Sequence, residues 1–291
     1  MSESPAKPAI YIETYGCQMN VLDSELVHNQ FSALGYQFAE CAEDAGVVLL
    51  NTCSVRQQSE QKVWSKLGRL AIHKKKQRPD MVIGVIGCMA EREGTEITRR
   101  MKHVDVLCGP SNLDQLPSLV ANALHNQSTQ AQVSLSGHNS RRSKTYEAAM
   151  DGVETLDLSR AFSPTSSQAQ AYVRITRGCN KFCSFCVVPF TRGPEVHRSP
   201  QQIIDEVQRL VQTGVVEVTL LGQTVNHYAH QDGGKSTSFA DLLWRVHEAV
   251  PDLRRLRFLT SYPRDFTDEA LRCHGAVAAH LSLPSYSGAK W

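Results

Sequence analysis

The sequence predicts an α/β protein, with an N-terminal doubly wound parallel-sheet domain followed by a partial βα barrel. Three observations predict it. Short apolar, β-branched runs alternate with amphipathic helical periods along most of the chain. A polar stretch rich in Gln, Ser, Thr and Asn interrupts that alternation once. The length, 291 residues, suggests two domains at ~150 residues each. The hydrophobic share of 41% and charged share of 21% supply ordinary cores and exclude a chain disordered throughout.

In the first part the predicted strands are 9–14 (AIYIET), 46–52 (GVVLLNT), 81–87 (MVIGVIG) and 103–108 (HVDVLC). Helical periods run from Asp23 to Leu34, Ser54 to Lys75 and Glu91 to Met101. Strands this uniformly apolar belong in a parallel sheet covered on both faces. This domain is expected over 1–125, with a linker over 126–168 carrying at most a short strand. From Ala171 the alternation restarts with a strand at 171–176, a helix from Pro200 to Gln212 and a strand at 215–222. A helix from Phe239 to Val250, a strand at 254–261, a helix near 267–274 and a strand at 279–284 complete it. The second domain, 169–291, therefore holds too few βα units to close a barrel.

No apolar run reaches the ~18 residues of a membrane span. The N-terminus, MSESPAKPAIYIETYG, has no apolar signal core. No membrane partner and a cytoplasmic location are the expectations. Nine cysteines in such a chain, an odd number, argue for metal or thiol chemistry over a disulfide framework.

Cys179, Cys183 and Cys186 form the strongest local signal, a C-x3-C-x2-C run directly after a predicted strand. Thiolates ligate iron–sulfur clusters, and three of them leave one iron open. A zinc knot and reduced structural thiols are the alternatives that spacing leaves open. Cys17, Cys53 and Cys88 lie 36 and 35 positions apart, one strand–helix unit each, and all follow a predicted strand. Parallel strand ends share one sheet edge, so these thiols converge; Cys108 ends a strand too and is a fourth candidate. Cys41 falls in a loop and Cys273 in a short helix, both without an assigned role.

With its flanks, YVRITRGCNKFCSFCVVPFTRG, the later motif resembles the radical S-adenosylmethionine superfamily. The resemblance implies Cys179, Cys183 and Cys186 as ligands of a 4Fe-4S cluster whose open iron chelates S-adenosylmethionine. It also implies a backbone contact of Phe185 with the adenine, and it places Gly222 and Gln223 where members of the superfamily contact the amino group. The segments YGCQMN (15–20), NTCSVR (51–56), GCMAER (87–92), LGQTVNHY (221–228) and LTSYPRDFTDE (259–269) make the resemblance specific. The whole is similar to the methylthiotransferase family, and YGCQMN to its branch acting on tRNA adenosine. That family implies Cys17, Cys53 and Cys88 as ligands of a second 4Fe-4S cluster and leaves Cys108 out.

The implied reaction is transfer of a methylthio group to C2 of N6-isopentenyladenosine next to the anticodon. That C–H bond is beyond any side-chain base, since side-chain pKa values end near ~13, and a radical from the cofactor serves instead. Implied partners are the tRNA anticodon loop, an electron-donor protein and sulfur or iron–sulfur delivery proteins. The rivals are threonylcarbamoyl-adenosine tRNA or a protein side chain as substrate, or an inactive iron–sulfur protein that only binds RNA.

The formal net charge of +2 hides a cluster. Lys62, Lys66, Arg69, Lys74, Lys75, Lys76 and Arg78 occur with no acidic residue between them, and Trp64 lies among them. Such a stretch suits phosphate contacts or forms a solvated helix face. Arg99-Arg100 and Arg141-Arg142 are weaker candidates. The 11 histidines show no ligand or triad spacing. Full-length relatives continue beyond the point where this chain ends, and Ser285 and Tyr286 replace a hydrophobic residue and a glutamine of their pattern. A C-terminally shortened chain is the expectation.

Overall fold

The computed structural model describes residues 7–55, 57–126, 131–136, 156–157, 160, 169–276 and 281–282. Arg141, Arg142, Ser285, Tyr286 and most of the stretch 126–168 lie outside these residues. The chain divides into two units, one of residues 1–160 with 183–192, the other of 161–182 with 193–291.

The first unit is built on a five-stranded parallel sheet in the order β1-β2-β3-β4-β5. The strands are β1 (Ile10–Tyr15), β2 (Val47–Thr52), β3 (Val82–Gly87), β4 (Val106–Cys108) and β5 (Gln132–Ser134). Every residue of β2 and β3 is buried, as strands covered on both faces require. Helices α1 (Gln18–Ala33), α2 (Gln57–Lys76), α3 (Cys88–Arg100) and α4 (Leu116–Asn126) supply the cover. On one face Val63, Leu67 and Leu70 of α2 and Met89, Ala90 and Ile97 of α3 close over Val48, Leu50, Ile83 and Val85. Each of the Val, Leu, Ile and Met side chains contributes about 1.5–3 kcal/mol on burial. The alternate strand residues Val47, Leu49, Val82 and Ile86 are buried as well; α1 and α4, which touch each other and the sheet, bring Leu22, Leu26, Phe31, Leu116 and Val120 into the core.

The sequence places α1 five residues late, because Gln18, Asn20 and Asp23 are polar. Asn20 and Asp23 are fully buried, serving the site below. It also misses α4, whose period sits next to Pro117 and Pro110. A short helix, α5 (Val188–Thr191), packs on α3.

The second unit carries a four-stranded parallel sheet in the order β13-β12-β9-β6. Its strands are β6 (Gln170–Arg174), β9 (Glu217–Leu221), β12 (Arg255–Phe258) and β13 (Leu281–Ser282). Helices α6 (Pro200–Gln212), α7 (Phe239–Ala249) and α8 (Asp268–Ala276) follow the predicted series. Ser238 caps α7 in a capping box with Asp241. Two small antiparallel ladders are not legible in the sequence, β7 (Thr176–Arg177) with β8 (Val196–His197), and β10 (Ala229–Asp232) with β11 (Lys235–Ser238). Ladders of two and four residues are too short to show a period.

Candidate metal centre

Register alone brings three cysteines to one sheet edge. Tyr15 pairs with Thr52 and Thr52 with Gly87. Cys17, Cys53 and Cys88 follow these residues by two, one and one positions, across strands ~4.8 Å apart. Cys17 is the N-cap of α1 and Cys88 the first residue of α3, so two thiols sit at helix N-termini, where the dipole favours an anion.

The surroundings hold these thiols in place. Cys17 Sγ donates to Asn20 Oδ1 at 3.2 Å, Asn20 Nδ2 to Asn51 Oδ1 at 2.9 Å, and Asn51 Nδ2 to the Asn20 carbonyl and Ser24 Oγ, both at 2.9 Å. Gly87 takes φ +88°, and a Cβ there would lie 2.4 Å from Asn51 Oδ1. Only glycine fits the turn that starts α3 at Cys88. The Val55 N–H donates to Cys53 Sγ at 3.3 Å.

Two residues of this site were invisible to spacing arguments. Arg192 is 2% exposed and pairs with the fully buried Asp23, Nη2 to Oδ2 at 2.9 Å. Its Nη1 is buried without a protein partner. Burial alone would weaken its charge, but Cys88, Asp23 and Cys17 around it keep it protonated. Thr191, beside it, donates to the Val187 and Val188 carbonyls and acts to lower the Cys88 thiol. Their sequence signal is the TRG flank of the later cysteine motif, more than 100 residues from Cys17, Cys53 or Cys88.

The thiols titrate as a set. A hydrogen bond from Cys53, helped by Arg192 and the Asn20 and Met19 amides against the cost of burial, brings Cys17 down to about 5. Cys53 is correspondingly pushed up, first by that same bond and then by burial. Burial pushes Cys88 up, with Arg192 opposing. Three thiols, backbone N–H donors and an unmatched buried guanidinium N–H suit an anionic iron–sulfur cluster.

Cys108 stands apart. It is fully buried, and its thiol donates to the Asn112 carbonyl at 3.1 Å. Burial, with Asp114 and Glu91 adding to it, holds Cys108 well above the ordinary thiol range. A neutral thiol spent on a carbonyl is a poor metal donor. Cys41 donates to Asp44 Oδ2 at 3.0 Å, and Cys273 is buried in α8.

In the later motif Cys179 is buried, and Cys183 and Cys186 are half-buried. Cys179 Sγ lies 3.5 Å from Thr224 Oγ1 and accepts the Lys181 N–H at 3.5 Å. Cys186 N–H donates to the Cys183 carbonyl at 2.9 Å, a tight turn. Gly178 has φ +70°, and a Cβ would lie 1.9 Å from the Pro194 carbonyl, so only glycine lets the chain enter this loop. Phe185 is 91% exposed. Gly222, at the end of β9, is buried against Thr176, and Gln223 is half-buried.

Of the seven basic residues at 62–78, three are paired. Lys66 meets Glu13 at 3.4 Å, Lys74 meets Asp105 at 2.6 Å and Arg78 meets Asp80 at 3.7 Å. Lys62 and Arg69 instead line an open groove of about 390 Å³ with Tyr15, Gln58, Gln61 and Ser65. Arg100 lies over the Trp64 ring, 4.9 Å from its centroid. None of the described helices is long and apolar enough to cross a membrane.

Comparison with known proteins gives two family matches, UPF0004, an uncharacterized protein family, over residues 9–109 and the radical SAM superfamily over residues 173–283. The chain is 41% identical over 282 residues to the tRNA-2-methylthio-N(6)-dimethylallyladenosine synthase of Rhodopirellula baltica, covering 96% of this chain and 58% of that protein. Proteins of the same name from Dictyoglomus thermophilum and Idiomarina loihiensis are 40% and 42% identical, covering 97% and 96% of this chain and 60% and 55% of theirs. The chain thus spans under two thirds of the length of these relatives. Among solved structures, the radical S-adenosylmethionine methyltransferase TsrM from Kitasatospora setae, with cobalamin and a [4Fe-4S] cluster bound, aligns with TM-score 0.59 at 13% identity. That alignment covers 95% of this chain and 58% of TsrM. The cobalamin-dependent radical enzyme OxsB aligns with TM-score 0.52 at 11% identity, over 97% of this chain and 44% of its own. At such identities these two speak to the fold.

Proposed function

We propose that the chain is a radical SAM enzyme, a tRNA methylthiotransferase acting on N6-isopentenyladenosine. The observation that carries this reading is the 41% identity over 282 residues to a synthase of that name. The division into an N-terminal domain (1–125), a linker (126–168) and a radical SAM domain (169–291) is part of the same proposal, as is a cytoplasmic location.

The residues have separate tasks. Cys179, Cys183 and Cys186 would hold one 4Fe-4S cluster, with Phe185, Gly222 and Gln223 toward S-adenosylmethionine. Cys17, Cys53 and Cys88 would hold the other. Together these groups, when bound, supply a one-electron cleavage of S-adenosylmethionine and a sulfur that carries the methyl group. The protein's own part is electrostatic and steric. The Val55 and Lys181 amides donate to ligand sulfurs, which stabilises charge on them. Arg192 offsets the negative charge of Cys17 and Cys88 inside the fold. Buried Asn20 and Asn51 fix the Cys17 loop and exclude water from that side. Lys62 and Arg69 would meet the phosphates of the tRNA anticodon arm, whose loop bases can be splayed out. An electron-donor protein and sulfur or iron–sulfur delivery proteins complete the set of partners.

The test is anaerobic reconstitution, then incubation with isopentenylated tRNA, S-adenosylmethionine and a reductant. Mass spectrometry follows 5′-deoxyadenosine and the digested nucleosides. Methylthiolated isopentenyladenosine is the expected product. Modification of threonylcarbamoyl-adenosine instead, or zinc without inorganic sulfide in the reconstituted chain, would overturn the reading.

A further inference from the structure

Outside the cysteines, one cluster of ligating side chains stands out in the second unit. Glu195 and His197 flank Val196 at the start of β8, so strand alternation points both to one face. His227 ends a 3-10 turn, Val225–His227, that follows β9. One ligand atom from each of the three lies within 4.8 Å of the other two. His197 and His227 are 30 positions apart in sequence, and pairing of Thr176 with His197 in the β7–β8 ladder holds His197 in place.

The cluster is under-satisfied in a particular way. The Glu195 side chain is 1% exposed, and His227 Nδ1 lies 2.8 Å from its Oε2. Its other oxygen, Oε1, is buried with no hydrogen-bond partner, and so is His197 Nδ1. An orphaned buried carboxylate oxygen and an orphaned imidazole nitrogen have each lost water without gaining a hydrogen bond in return. A neutral imidazole presents one ring nitrogen with a free lone pair, and a metal ion can take it. The other charges facing Glu195 are Lys181 and Asp265, which pair with each other at 2.5 Å and largely cancel. The ring of His197 is fixed edge-on to Tyr228, 5.5 Å between centroids, and its carbonyl accepts from His230 Nδ1 at 3.4 Å.

We propose that Glu195, His197 and His227 form a binding site for a divalent transition-metal ion of the zinc class. Two imidazoles and one carboxylate are a nitrogen–oxygen donor set suited to such ions, and three protein ligands leave a coordination position open for water. The site is chemically distinct from every cysteine site in the chain, because it offers no sulfur. Bound metal would satisfy both orphaned atoms and tie the β7–β8 ladder to the turn after β9.

The experiment uses the full chain, reconstituted anaerobically with iron and sulfide, then equilibrated with Zn²⁺ and desalted. Elemental analysis and zinc-edge X-ray absorption are read together. The expected result is about one zinc per chain with nitrogen and oxygen neighbours at ~2.0–2.2 Å and no sulfur at ~2.3 Å. His197→Ala and His227→Ala should each weaken that sulfur-free binding about tenfold or more, by analogy with the cost of disturbing a metal shell. His227 is an exposed side chain, so its replacement leaves the fold intact even if His197→Ala does not. Absence of sulfur-free zinc in the parent chain, or its persistence in His227→Ala, would overturn the proposal. Iron and sulfide content of the same sample reports separately on the cysteine sites. A failure there appears as low iron and as zinc with sulfur neighbours, leaving the sulfur-free signal to decide.

Discussion

Replacing Arg192 by methionine would remove the guanidinium that pairs with the buried Asp23. Both side chains are almost fully enclosed, so truncating one partner should cost about 3–5 kcal/mol. Urea denaturation of the first unit's signal checks it, and a loss under 1 kcal/mol would mean that water reaches Asp23. Glu217 gives a pH-dependent case. Burial alone would raise its carboxyl, but Arg255 at 2.6 Å and Arg257 at 3.1 Å hold it below the ordinary value of 4.5. A depressed folded value means stability that is present above pH 4.5 and lost as pH falls through the folded value. Glu217→Gln should therefore flatten the loss of stability on acidification below pH 4.5, read from urea midpoints at pH 7 and pH 3. An equally steep loss would assign the acid sensitivity to other carboxylates. At this scale the cysteines were legible because thiol spacing is rare and specific. Arg192, Thr191 and the Glu195–His197–His227 cluster were not, because their partners lie far off in sequence and no periodicity marks them.

The strands and most helices could be read from periodicity, since β3 is apolar throughout, β2 is apolar over Val47–Leu50 and α6 has one strongly apolar face. The limit of that reading shows in α2. Its run of positive charges reads as one anion-binding face, but the fold divides it. Lys74 reaches both Asp105 oxygens, and Asp105 Oδ2 also accepts the Ile83 N–H at 2.7 Å, so Lys74 helps to lock β4 against β3. Lys62 and Arg69 face the open groove. Two variants separate these roles. Lys62→Glu with Arg69→Glu should weaken binding of an anticodon stem-loop RNA and reduce the salt slope by about one per lost phosphate contact, with the melting temperature unchanged. Lys74→Ala should instead lower stability by about 1 kcal/mol, leaving a half-buried carboxylate short of one partner. Fluorescence anisotropy across a salt series, beside thermal melts, distinguishes the two. Equal RNA affinity in the double variant would remove the groove from the tRNA contact.

On the scale of the molecule the chain carries two thiol sets on two separate βα series, within matches to two different families. Sequence order made this division legible; the chemistry that couples the sets is what the proposed function adds. If Cys179, Cys183 and Cys186 generate the radical and Cys17, Cys53 and Cys88 carry the sulfur, the two activities must separate genetically. Alanine at all three N-terminal cysteines should reduce iron from roughly eight to roughly four per chain, one cubane's worth. That variant should still form 5′-deoxyadenosine from S-adenosylmethionine, yet yield no methylthiolated nucleoside. Cys183→Ala should abolish both products, because a cluster that lacks a ligand loses the radical on which transfer depends. Cys108→Ala should change neither, since its thiol is spent on the Asn112 carbonyl. Iron analysis and mass spectrometry of both products read all three variants. A methylthiolated nucleoside from the N-terminal triple variant would show that its cysteines are structural, and the sulfur would then have to come from elsewhere.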